Sequence, residues 1–213
     1  MKKKAQLELW VLTKIAMLFF IISLAFIAIN ISNTEKSALC GEQALATSRI
    51  IASNVNQMLS APVEDGRVVY RFEPTIPISK EKFGERYEVL LTRKANAVSG
   101  QVQFSIVVKP LSDSACTKRV SLFYDSTKVS TAFFSNGGPI TPVNLYGEEV
   151  ITLTPSDRDL SKRSKFLVIV KCREKRFGGN TVIYFDDCKN DDPNACSSFE
   201  PVASYLEFCK ESE

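Results

Sequence analysis

The sequence predicts an α+β protein: one long N-terminal helix, transmembrane and then amphipathic, packed on a disulfide-bonded, mainly antiparallel β domain. Three observations carry that expectation. Leu9–Ile31 is almost continuously apolar. Apolar residues then recur at steps of three or four up to Met58. Beyond Pro62 the recurrence changes to every second residue, the side-chain period of a strand.

Leu9–Ile31 comes first. At about 1.5 Å per helical residue it extends about 34 Å, enough to cross a hydrocarbon layer about 30 Å thick. Lys14 is its one charge, near the start, where its ammonium can snorkel to the headgroups. Trp10 sits where an interfacial aromatic belongs. Lys2–Lys4 precede the span, whereas the other flank holds a single Glu35/Lys36 pair, so the positive-inside rule leaves the N-terminus in the cytoplasm. Residues 1–36 are therefore expected to form a cytoplasmic stub and transmembrane helix, and residues 37–213 an extracellular domain.

A cleaved secretory signal needs a shorter apolar core and a small-x-small cut site. Phe26–Asn30 does not supply one, and Leu39 before Cys40 argues against a lipid-bearing cysteine. A retained anchor is the expectation.

The polar stretch Asn30–Ser37 is a place where the helix could fray. From Ser37 to Ser60 the helical pattern returns, with Cys40, Ala44, Thr47, Ile51, Val55 and Met58 on one stripe. That stripe would lie on a sheet, and Cys40 beside it could staple the helix down. Gly41 weakens the helix by about 1 kcal/mol, and Ala61-Pro62 ends it.

Strands are expected at Arg67–Phe72, Tyr87–Thr92, Gln101–Lys109, Arg119–Asp125 and Glu149–Thr154, with irregular chain at Glu73–Pro77 and a hairpin loop at Ala95–Gly100. Lys165–Cys172 reads as a central strand buried on both faces, with Thr181–Phe185 returning beside it after a turn at Phe177–Asn180. Ser126–Tyr146 is the least regular stretch. Its Phe133–Pro139 segment is either a binding loop or a buried corner. Asp186–Cys196 holds Asp186, Asp187, Asp191 and Asp192. A solvated loop pinned by Cys188 and Cys196 is favoured there over calcium, because no EF-hand spacing is present. Ser198–Glu211 reads as a short final helix.

About 180 residues outside the anchor suffice for one domain with a real core. Net charge is +3, and three lysines belong to the stub, so no basic face suggests nucleic acid. Six cysteines (Cys40, Cys116, Cys172, Cys188, Cys196 and Cys209) fall on the exterior side, where an even number is most simply three disulfides. Six allow 15 connectivities, and the sequence does not choose among them. Metal is disfavoured, since there is no C-x-x-C pair and no histidine. The missing histidine also removes Ser-His-Asp and Cys-His constellations. With no nucleophile elbow or phosphate loop either, no enzyme and no cofactor is expected. Asn30-Ile31-Ser32 matches a glycosylation sequon but abuts the membrane.

A basic stub, Gln6 and Glu8 heading one long hydrophobic helix, and an amphipathic continuation into a β-rich exterior domain resemble the type IV pilin superfamily, in particular archaeal pilin-like proteins with class III signal peptides. The stretch Ile50–Asn56, followed by turn residues and Tyr87-Glu88-Val89, is similar as well. The resemblance spans roughly residues 1–92. It implies cutting by a membrane peptidase at Lys4-Ala5-Gln6, between Ala5 and Gln6, and filament assembly through the hydrophobic helix with other pilin-like subunits. Glu8 would then neutralise a buried new amino terminus; read without the family, it is equally a polar flank of the helix. One departure matters: the family's glutamate is usually fifth in the mature chain, whereas cutting after Ala5 makes Glu8 third. The rival expectation is a single-pass surface protein with an exterior binding or adhesion module that does not polymerise.

Overall fold

The computed structural model describes residues 2–61, 66–77, 84–95, 100–136, 138–145, 147–173 and 181–196; the side chains of 2–9, 138, 139, 173 and 194 are excluded. Helix α1 spans Lys2–Ser60 without a break. The fraying expected at Asn30–Ser37 does not occur. Thr34 donates its hydroxyl to the Asn30 carbonyl at 2.9 Å, so its side chain is satisfied within the helix. Weak helix formers cost tenths of a kcal/mol each, less than nucleating a second helix beyond a gap.

By compactness the chain divides into Met1–Leu39 and Cys40–Glu213. In the first unit, the described large apolar residues from Trp10 to Leu39 are all exposed.

Among its described residues the second unit holds the last part of α1 and twelve strands. They are β1 (Gly66–Arg71), β2 (Ile76–Pro77), β3 (Gly84–Glu85), β4 (Tyr87–Ala95), β5 (Gln101–Pro110), β6 (Lys118–Asp125), β7 (Val129–Ser135), β8 (Gly138–Pro139), β9 (Val143–Leu145), β10 (Glu148–Leu153), β11 (Phe166–Arg173) and β12 (Thr181–Cys188). One sheet runs β1-β11-β12-β7-β8 and the other β6-β5-β4-β10-β9, while β2 and β3 form a separate ribbon. All pairs are antiparallel except β12 with β7. The turn after β6 carries the chain from one sheet to the other, where β7 lies parallel to β12.

The inner faces share one core, in which Val89, Leu91, Phe104, Ile106 and Leu153 of one sheet meet Leu167, Ile169, Ile183 and Phe185 of the other. Phe104 and Phe185 stack across the gap with centroids 4.7 Å apart, and Phe133 extends the column at 5.7 Å from Phe185. As expected, β11 is buried on both faces: Leu167 and Ile169 face the main core, while Val168 and Val170 enter a smaller cluster with Tyr184, Cys172 and Cys196.

The amphipathic part of α1 packs into this core, with Met58 against Gly66 of β1 and Gly41 against Lys118 of β6. Ala44, Ile51, Ala52, Val55 and Met58 join the core. Cys40 is bonded to Cys116, just before β6. Gly41 is buried beside Lys118, whose Cε would stand 3.0 Å from an added Cβ. At the other end, buried Lys171 of β11 donates to the Ala61 carbonyl at 2.6 Å, a cation at a helix C-terminus.

Ser126–Tyr146 departs from expectation. It contains β7, β8 and β9 rather than irregular chain. Phe133 and Phe134 are 4% and 2% exposed, one in each core cluster, so they are packing residues and not a binding loop. The adjacent turn residues misled: among the described residues of that segment only Asn136, at φ 49°, lies in a turn. The expected tail helix and the turn at Phe177–Asn180 lie outside the described residues.

Candidate functional site

Two features stand apart from ordinary packing. The first is the apolar segment of α1, the one helix among the described residues long and apolar enough to cross a membrane; none of its apolar window is buried. Two of its polar residues, Ser23 and Lys14, are handled locally. Ser23 donates to the Phe19 carbonyl at 2.9 Å, and the Lys14 ammonium lies 5.6 Å from the Trp10 ring centroid. A hydroxyl bonded within its own helix and a cation set over an indole are both less costly in an apolar medium than bare groups. Ala5, Gln6 and Glu8 fall in the first turns of α1, with side chains outside the described set.

The second is the end of the sandwich remote from Cys40. Strand directions set the two ends of the β4-bearing sheet apart: Cys116, bonded to Cys40, precedes the start of β6 at one, and the ends of β4 and β6 with the start of β10 lie at the other, where a short turn leads into β7. At that far end Arg93 of β4 stands opposite Glu149 of β10 in the strand register. Arg93 Nε donates to Glu149 Oε2 at 2.5 Å, and Nη2 pairs with the same oxygen. Arg93 Nη1 reaches the other sheet, donating to the Thr131 carbonyl at 2.6 Å and to Thr131 Oγ1 at 2.9 Å. Its guanidinium carbon lies 5.8 Å from the Phe133 ring centroid. Tyr124 shares a 2.9 Å hydrogen bond with Thr131 Oγ1. Burial pushes the Tyr124 phenol up, with Thr131 and the Arg93 charge opposing, so it stays a neutral hydroxyl. One side chain thus bolts both sheets together beside a cavity of about 320 Å³. Sequence reading missed this cluster, since it ended the second strand at Thr92. The only signal was a pair of opposite charges, Arg93 and Glu149, far apart in the chain.

Of the cysteines, Cys40–Cys116 and Cys188–Cys196 are bonded, each with Cα atoms 5.6 Å apart. Cys172 is also disulfide-bonded, and Cys209 lies outside the described residues.

The aspartate loop needs correction. Asp186 and Asp187 belong to β12 and are 0% and 6% exposed; only Asp191 and Asp192 lie on the loop surface. The strand continues three residues past Phe185 because β11 pairs with it as far as Cys188. No group of three or more potential metal-ligating side chains occurs among the described residues.

Burial pushes the Asp187 carboxyl above the ordinary carboxylate range, while Ser164 and the Lys189 ammonium, 3.7 Å away, draw it partly back. Its Oδ1 is buried with no hydrogen-bond partner among the described residues. The raised folded value means that the fold disfavours the charged form. The penalty is absent below the unfolded carboxylate value, grows as pH rises towards the folded value, and is full above it. Asp187→Asn is therefore expected to match the parent in acid and to be more stable at neutral pH, as checked by thermal unfolding across that range.

Neither a family model, nor a curated protein, nor a solved structure matches this chain.

Proposed function

We propose that this chain is a membrane-anchored, pilin-like subunit, minor or accessory, of an extracellular type IV pilus-like filament. The supporting observation is α1: a fully exposed apolar segment that continues as the same helix into a half built into a β domain. A rod apolar on all sides is stable in lipid and equally stable among copies of itself or other pilin-like subunits, because either environment removes it from water. On the positive-inside rule Lys2–Lys4 favour a cytoplasmic N-terminus, with the β domain outside, where disulfides persist. A prepilin peptidase acting between Ala5 and Gln6 would expose a new amino group that Glu8 neutralises during assembly.

The mass of the mature chain, isolated from its native membrane, tests this. A chain beginning at Gln6 is expected. A chain still beginning at Met1 assigns it instead to non-polymerising single-pass surface proteins. Glu8→Ala is expected to retain membrane insertion and reduce filament yield severalfold by electron microscopy. Unchanged yield removes the role given to Glu8.

A further inference from the structure

The anchoring and assembly proposed for α1 make no use of the cavity beside Arg93, and its walls are chemically specific. Arg93, Tyr124, Ser130, Thr131, Asn144 and Glu149 contribute its polar lining. The guanidinium is already neutralised by Glu149 and engaged by Thr131, so an incoming anion would have to displace a carboxylate that is in place. A cation would face the same obstacle from Arg93. What remains for a ligand is a neutral mixture of donors and acceptors. Asn144 and Ser130 are exposed, and the Ser126 hydroxyl, which donates to the Gly100 carbonyl at 2.7 Å, keeps its lone pairs. Ala95, Val102 and Val129 supply an apolar wall beside them.

We infer that this cavity is a binding site for a neutral saccharide of one or two rings. Sugar hydroxyls both donate and accept, which suits a wall of amide, hydroxyl and carboxylate groups, and the C–H face of a pyranose suits the apolar wall. A volume of about 320 Å³ lies near the lower end of the range of about 300–1,000 Å³ typical of ligand pockets. The Arg93–Glu149–Thr131 clamp holds the polar groups of two sheets in fixed positions, which reduces the ordering cost of binding. The site lies at the end of the β4-bearing sheet remote from Cys116 and the start of β6.

The test uses the full chain in lipid nanodiscs free of glycolipid, with maltose, lactose and N,N′-diacetylchitobiose as probes and sulfate as the anionic control. Saturation-transfer NMR and calorimetry are the readouts. At least one disaccharide is expected to bind saturably. Asn144→Ala combined with Ser130→Ala, which leaves the Arg93 clamp intact, is expected to weaken binding about tenfold, the equivalent of one or two lost hydrogen bonds, without moving the melting temperature. The inference is overturned if no disaccharide saturates, if the double variant binds as the parent does, or if sulfate binds at the site instead. It does not depend on the pilus-like reading: a chain that binds sugar but retains Met1 keeps the one and loses the other.

Discussion

Replacing Cys40 and Cys116 together by serine is expected to destabilise the β-bearing unit by about 4 kcal/mol. The bond closes a loop with a sequence separation of 76, and on the chain-entropy reading the restriction of the unfolded state grows with the logarithm of loop length. The Cys188–Cys196 bond, with a separation of 8, is expected to contribute about 2.5 kcal/mol on the same reading. The two double variants therefore separate the entropic account from a purely local one. Equal losses in denaturant titrations followed by circular dichroism would argue that native packing around each bond sets its value. Loss of the Cys40 bond should also raise proteolysis near Gly41, because the helix there has only Ala44 and the residues beyond it to hold it in the core.

Phe185→Ala is expected to cost about 3–5 kcal/mol, the range for a fully buried phenylalanine. Phe185 is 2% exposed and stands between Phe104 of the opposite sheet and Phe133 of its own. Its removal leaves a void between the two sheets, and the stacked ring of Phe104 loses its partner. The loss should reach the far end of the sandwich, since Phe133 supports the Arg93 guanidinium. Phe123→Ala is the matched control: Phe123 is 66% exposed on β6 and should change stability by no more than about 0.5 kcal/mol. A comparable loss in both variants would contradict the burial that assigns Phe185 its role.

Much of the framework was legible without the fold. The stripe from Cys40 to Met58 did turn inward, and the strands expected at Arg67, Tyr87, Gln101, Arg119 and Lys165 all formed within a few residues of their expected bounds. The failures share a cause. Phe133 and Phe134 sit beside Asn136 and Gly138, so local turn chemistry outweighed the β-propensity of Val129–Ser135. Asp186 and Asp187 resemble loop residues until β11 is known to pair alongside them. Lys171, inside the strand expected to be buried on both faces, is buried and donates to the Ala61 carbonyl just past α1, a partner that no local pattern points to.

What the sequence determined alone was everything that depends on neighbours in the chain: the apolar helix, its amphipathic continuation, the alternation of the strands, and an even set of cysteines without histidine. The tertiary structure decided which distant residues meet. It paired Cys40 with Cys116, crossed the chain between sheets to make β7 parallel to β12, and set Arg93 of one sheet against Thr131 of the other. The reason is physical. Periodicity and apolarity are sums over adjacent residues, whereas a disulfide, a sheet register or a buried ion pair depends on contacts between segments that the chain order leaves far apart.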